Sequence, residues 1–194
     1  MGRHIVSGIL AAIAFVFVTI GTIMDYASMD GGIAGLATGI LMALLLAGAY
    51  FLIALVLFAL WRTRVGSILA GIAFLIVAIF SAVSLVNTMY AYRNIANFSW
   101  NAEAVATIAI HLVTLIAYIL LMVDSFSGFR VKGAGILGTV LLVTLAILNL
   151  ASQIANYQLM TTGNMFVMWS SAIIIAIGQL LFSLSVMIFR FRQR

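Results

Sequence analysis

The sequence predicts an all-helical, polytopic membrane protein in which six transmembrane helices form three successive helical hairpins. Hydrophobic residues make up 66% of the 194 residues and charged residues only 7%, whereas about a quarter of the residues in a soluble domain are charged. The few charged residues lie almost entirely between long apolar stretches. Because so few polar side chains cannot cover a water-facing surface, we expect lipid to surround a single transmembrane domain, residues 1–194.

Six apolar stretches predict the six helices, because about 20 helical residues, each rising 1.5 Å, cross the hydrocarbon core. The predicted spans are residues 5–24, 33–61, 67–89, 104–123, 134–155 and 166–189. The first is longer than the apolar core of a cleaved signal peptide, usually about 7–15 residues, so we expect an uncleaved helix there. The second is long enough to tilt strongly or to project beyond the bilayer.

The distribution of Lys and Arg predicts the orientation, because cytoplasmic loops of membrane proteins are enriched in these residues. Eight basic residues fall on one side of the predicted helices: Arg3, Arg62, Arg64, Arg130, Lys132, Arg190, Arg192 and Arg194. Arg93 falls on the other side, together with Asp25, Asp30 and Glu103. We therefore expect both termini on the cytoplasmic side of the plasma or inner membrane. The net charge of +5 belongs to these loops, so nucleic acid is not a predicted partner.

A threefold internal repeat is suggested by the starts and ends of the three predicted hairpins, residues 3–61, 62–129 and 130–194. Aligning the pairs Ile9-Leu10, Ile68-Leu69 and Ile136-Leu137 superposes Arg3, Arg62 and Arg130. Each hairpin ends with an aromatic residue followed by arginine: Trp61-Arg62, Phe129-Arg130 and Phe189-Arg190. Internal periodicity is considered before local motifs when a fold is predicted, so a true duplication is one interpretation. The alternative is convergence, because cytoplasmic helix starts favour the same residue types.

Small residues predict where helices approach closely, since transmembrane helices associate through van der Waals packing. The alignment also brings together three small pairs: Gly8 with Ala12, Ser67 with Gly71, and Gly135 with Thr139. From these pairs we expect the three odd-numbered helices to meet at their cytoplasmic ends. A helix-packing groove is predicted along the second helix at Gly31, Gly35, Gly39, Ala43 and Ala47, all four residues apart. We expect this groove to hold another helix, either of this chain or of a partner protein.

Two polar side chains lie deep in predicted helices, where such groups are costly and are candidates for function. His111 is near the middle of the fourth helix and Gln179 is in the sixth. The imidazole could carry protons or bind a ligand, or it could simply hydrogen-bond to a neighbouring helix. Gln179 is one candidate for that partner.

A candidate ligand pocket is predicted at the extracytoplasmic end of the odd-numbered helices. Its residues are Asp25, Asn87, Tyr90, Asn149 and Gln153. If the odd-numbered helices are neighbours, these groups line one concavity that could hold a polar small molecule. The alternative is that helix ends simply become polar in the headgroup region, where such residues are common.

The sequence lacks the groups that most membrane chemistry requires. It has no cysteine, no pair of carboxylates at membrane depth, and no constellation of nucleophile, base and oxyanion donors. We therefore expect neither an enzyme nor a bound metal or cofactor. The predicted function is a non-catalytic subunit, scaffold or accessory component of a larger membrane assembly, with a protein partner or a second copy. The alternative is a small-solute transporter or substrate-binding membrane subunit.

Overall fold

A computed structural model describes residues 2–28, 32–93, 102–155 and 164–191 of the chain. The six α-helices in these ranges are α1 (Gly2–Ser28), α2 (Gly32–Leu55), α3 (Arg64–Arg93), α4 (Ala102–Phe126), α5 (Lys132–Ala155) and α6 (Asn164–Arg190). A single π-helical turn, Val56–Leu60, continues α2. Each helix, α2 together with its π-helical turn, contains a stretch that is long and apolar enough to cross a membrane. An all-helical, multi-pass membrane protein is the architecture that follows.

The turns that start α3 and α5 are fixed by hydroxyl side chains. Thr63 Oγ1 accepts a hydrogen bond from the backbone N–H of Gly66 at 2.9 Å, as an N-cap does. Ser127 Oγ accepts from the N–H groups of Arg130 and Val131. Between them, α4 ends in a Schellman motif, in which Gly128 has φ +74° and the N–H of Phe129 donates to the Asp124 carbonyl.

The helices form a closed ring, because each packs on the next in sequence and α6 packs back on α1. The contact between α1 and α6 is the most extensive of all. Among the described residues, no two odd-numbered helices share more than a marginal contact. The prediction that these three helices meet at one end is therefore wrong.

The small residues that motivated that prediction accommodate side chains of even-numbered helices instead. A Cβ atom at Gly8 would lie 2.9 Å from the ring of Phe58, and one at Gly71 would lie 2.7 Å from the ring of Phe126. A Cβ atom at Gly135 would collide with the guanidinium group of Arg190. In each case a large side chain of another helix covers the glycine and fills the space beside it.

The centre of the ring is filled by aromatic side chains and lined by alanines. Phe182 is completely buried, with its ring centroid 4.4 Å from that of Tyr50 and 6.3 Å from that of Phe74. Fully buried alanines let the helices close around these rings: Ala11, Ala14, Ala49, Ala73, Ala117 and Ala176. This half of the bundle is therefore a packed core.

Packing is uneven along the bundle. Residues 79–90 of α3, 105–116 of α4 and 147–155 of α5 contain no fully buried side chain, and we call these three segments the loosely packed half. In contrast, α1 and α6 remain buried against one another as far as Gly21 and Ser171. Among the side chains whose burial the structure describes, close packing therefore joins all six helices at one end of the bundle, and α1 and α6 retain it towards the other.

Candidate functional site

One end of the bundle gathers the start of α1 and the ends of α2, α4 and α6. The ring of Phe189 lies edge-on to those of Trp61 and Phe129, with centroids 6.3 Å and 5.4 Å away. The ring of His4 lies 5.6 Å from that of Trp61. We call this the basic end, because it carries Arg62, Arg64, Arg130, Lys132 and Arg190. The aromatic residues of all three aromatic-arginine pairs thus form one cluster, which the sequence pattern alone did not predict.

A buried ion pair between Arg190 and Asp124 connects α6 to α4 beneath this cluster. Their side chains are only 4% and 1% exposed. The Arg190 guanidinium also lies over the ring of Phe129 and donates a long hydrogen bond, 3.5 Å, to the Phe129 carbonyl. Gly135 on α5 leaves the space that the guanidinium occupies. Residues of α4, α5 and α6 and of the turn after α4 therefore surround this one ion pair.

Asp124 was missed by the sequence reasoning, although a signal was present. Asp25, Asp30 and Glu103 were all placed on the side opposite the basic residues. Asp124 is the remaining acid, and it falls beside the basic loop that follows α4. An acid at a basic helix end predicts a local partner, because an unpaired carboxylate at membrane depth is costly.

A second feature of the basic end is an open depression between the α2–α3 turn and the α4–α5 turn. Its volume is about 480 Å³. Three cationic and three hydroxyl side chains line it: Arg62, Arg64, Arg130, Thr63, Ser67 and Ser127. Its apolar edge includes Ile68 and Phe126, which are 41% and 46% exposed. None of its lining residues is acidic, and we call it the basic depression.

The five residues of the predicted ligand pocket are divided by the structure. Asp25 accepts a hydrogen bond from Ser171 of α6 at 3.3 Å. Asn149 donates to Gln179 of α6 at 2.9 Å, and Gln153 donates to Asn149 at 3.4 Å. These three predicted residues therefore lie along α6.

Asn87 and Tyr90 lie elsewhere, exposed on α3. Within the described part of the chain, no interaction joins them to Asp25, Asn149 or Gln153. Ligand binding by the five residues stays a prediction. The odd-numbered helices are not neighbours, however, so they do not form one concavity lined by all five residues.

The two intramembrane polar residues are not partners of each other. Gln179 accepts its hydrogen bond from Asn149. His111 is partly exposed on α4, and no described residue forms a hydrogen bond with it. It lies within the loosely packed half, on the same helix face as Ala104 and Tyr118, both of which are buried.

The predicted packing groove on α2 is described only in part. Gly31 lies outside the described residues, as do the surroundings of Gly35 and Gly39. Ala43 and Ala47 are each only 1% exposed. Other parts of the same chain therefore cover these two alanines. For this part of the groove, the helix that packs there belongs to this chain and not to a partner protein.

Comparison with known proteins identified no similar protein. No protein-family model, curated protein or solved structure matches the chain. In the ranges that the structure describes, no three metal-ligating side chains lie together as a metal site requires.

Proposed function

We propose that the protein is a non-catalytic subunit or accessory component of a larger membrane assembly, with both termini on the cytoplasmic side of the cell membrane. The observation that carries this proposal is the polar character of the loosely packed half. Segments of three adjacent helices there bury no side chain fully, yet they present His111, Asn87 and Asn149 at or near membrane depth.

Lipid is a poor neighbour for such groups, and of the three only Asn149 has a hydrogen-bond partner, Gln179, among the described residues. A buried polar group without a hydrogen bond costs several kcal/mol in hydrocarbon, roughly 4–8 kcal/mol for transfer to an alkane. Polar residues in membrane helices therefore face another helix or a cavity in nearly all cases. His111 faces the same side as buried residues of α4 but is itself incompletely covered. A helix from another chain, or from a second copy, would cover it and supply a hydrogen-bond partner.

The orientation in this proposal rests on the arginines of the basic end. The gathered ends of α2, α4 and α6 put Arg62, Arg130 and Arg190 at one end of the bundle, and Arg93 ends α3. Cytoplasmic loops carry the excess of basic residues. The three hairpins and their origin by repetition remain part of the proposal, supported by the contacts between consecutive helices.

Purification in mild detergent tests the assembly. We expect a stoichiometric partner, or a stable homo-oligomer, to accompany the wild-type chain. The substitution His111→Leu removes the unpartnered polar group and should weaken that association about tenfold, as the loss of one hydrogen bond at the interface would. Ile119→Leu, at an exposed apolar position of the same helix, is the control and should leave association unchanged. A monomer under all mild conditions contradicts the proposal.

A small-solute binding subunit is the second candidate, favoured by one observation. Gln153, Asn149 and Gln179 form a chain of amides that runs from α5 to α6 beside the loosely packed half. Amides of this kind could bind a polar solute there. The expected result is a solute-dependent rise in the unfolding temperature that Asn149→Leu abolishes and Asn87→Leu does not. A monomeric chain that shows this response would replace the assembly proposal.

A further inference from the structure

We propose that the basic depression binds a phosphate-bearing anion at the membrane surface. Arg62, Arg64 and Arg130 bring three positive charges to one concave surface of about 480 Å³. Guanidinium groups recognise phosphate oxygens through paired, charge-assisted hydrogen bonds. This site goes beyond the proposed function, because it requires no protein partner.

No described residue neutralises the charge of the depression. None of the lining residues is acidic. The nearest acid in sequence, Asp124, is buried and paired with Arg190. Arg62 lies over the ring of Trp61 at 4.5 Å, a contact that leaves its charge in place. In the described ranges, no carboxylate forms an ion pair with Arg62, Arg64 or Arg130.

The position of Arg64 also argues against a purely structural role. It is the first residue of α3, where the partial positive charge of the helix N-terminus disfavours a cation. Arg64 is exposed and therefore fills no packing space. An external anion would interact favourably with both the side chain and the helix end.

The surroundings favour a lipid headgroup as the source of the phosphate. The apolar edge of the depression, Ile68 and Phe126, is continuous with exposed side chains further along α3 and α4, such as Ile72 and Val123. An anionic phospholipid could place its phosphate among the arginines and its acyl chains along this apolar surface. A soluble phosphate compound would use the arginines without that surface.

The positive-inside distribution offers a simpler account, in which the basic end attracts anions diffusely and the concavity is irrelevant. Lys132 separates the two accounts. It is exposed at the same end and only two residues from Arg130, but it does not line the depression. Diffuse attraction depends equally on both charges, whereas a formed site depends on Arg130.

The test is a fluorescence titration of the full chain in a neutral detergent. Trp100→Phe and Trp169→Phe leave Trp61, which lines the depression, as the only tryptophan. Short-chain phosphatidylglycerol, short-chain phosphatidylcholine and inorganic phosphate are titrated separately. We expect saturable binding of phosphatidylglycerol, weakened about tenfold by Arg130→Gln and less than about twofold by Lys132→Gln, as loss of a charge-assisted hydrogen bond predicts.

The titrations also identify the source of the phosphate. Binding of phosphatidylglycerol without binding of inorganic phosphate assigns the site to a lipid headgroup, and binding of both assigns it to the phosphate group itself. Equal losses in Arg130→Gln and Lys132→Gln overturn the proposal, as does the absence of any saturable response. Unfolding temperatures without added anion are measured for both variants, and Arg64→Gln replaces Arg130→Gln if the latter unfolds.

Discussion

The burial of Arg190 shows how one side chain can depart from the pattern of its equivalents. Arg62 and Arg130 follow the other two aromatic residues and are exposed, whereas Arg190 is buried. Counting five residues back from each aromatic gives Val56, Asp124 and Leu184. Of these three equivalent positions, only the one on α4 carries a carboxylate. The side chain of Arg190 is buried because it pairs with that carboxylate.

At the residue scale, we predict that Asp124→Ala lowers the free energy of unfolding by about 3–5 kcal/mol, because it leaves the Arg190 guanidinium buried without its counter-charge. The double variant Asp124→Leu with Arg190→Met should be much less destabilised, since both charges are replaced by apolar groups. Thermal unfolding in detergent provides the measurement, with the exposed Arg93→Gln as control. Equal destabilisation in the single and double variants would show that the pair itself is not the cause.

At the scale of helices, the contact between α1 and α6 depends on glycines that face the opposing helix. A Cβ atom at Gly178 would lie 2.8 Å from Val18, and one at Gly21 would lie 3.0 Å from the Ser171 carbonyl. This contact is the most extensive in the molecule and closes the ring. In a membrane, where lipid is as apolar as leucine, such close approach is a main source of helix association.

We therefore expect Gly178→Leu to destabilise the bundle by about 1–3 kcal/mol or more through overpacking. Gly48 is the matched control, because a Cβ atom there would have no neighbour within 4 Å. Gly48→Leu should leave the unfolding temperature almost unchanged, or raise it slightly because leucine is the better helix former. If both leucine variants unfold at the same temperature, the contact at Gly178 does not limit stability.

At the scale of the whole molecule, the ends of the bundle differ in charge and in packing. The basic end combines the aromatic cluster, the buried ion pair and the basic depression. Towards the other end, the loosely packed half of α3, α4 and α5 contains no buried side chain, whereas α1 and α6 remain buried against one another. A closely packed basic end and a less closely packed opposite half are the physical basis of both functional proposals.

The orientation of the bundle is tested by cysteine labelling, which the chain permits directly because it has no native cysteine. We expect Tyr90→Cys, at an exposed position, to react in intact cells with a membrane-impermeant maleimide. Lys132→Cys should react only after the membrane is permeabilised, since the basic residues are retained in the cytoplasm. The reverse pattern of labelling would invert the proposed topology.

The number of helices and their approximate bounds could be predicted, whereas the site could be predicted only in fragments. The predicted spans fall on the six observed helices, with the π-helical turn at Val56–Leu60 as the detail that hydropathy does not encode. The aromatic-arginine pairs were identified as a repeated pattern, but their contact through Phe189 was not. The position of Asp124 beside a basic loop signalled a partner, but the identity of that partner could not be predicted, because Arg190 lies sixty-six residues away in sequence.

The sequence by itself determined that this chain is all-helical and suited to a membrane, because length and hydropathy act locally and each apolar stretch satisfies its own backbone hydrogen bonds as a helix. Tertiary structure alone decided which helices are neighbours. From the sequence alone, the small residues of α1, α3 and α5 are as compatible with contacts among the odd-numbered helices as with the contacts observed. In the bundle, Phe58, Phe126 and Arg190 occupy the space beside them, because close packing depends on the shapes of side chains that are distant in the sequence.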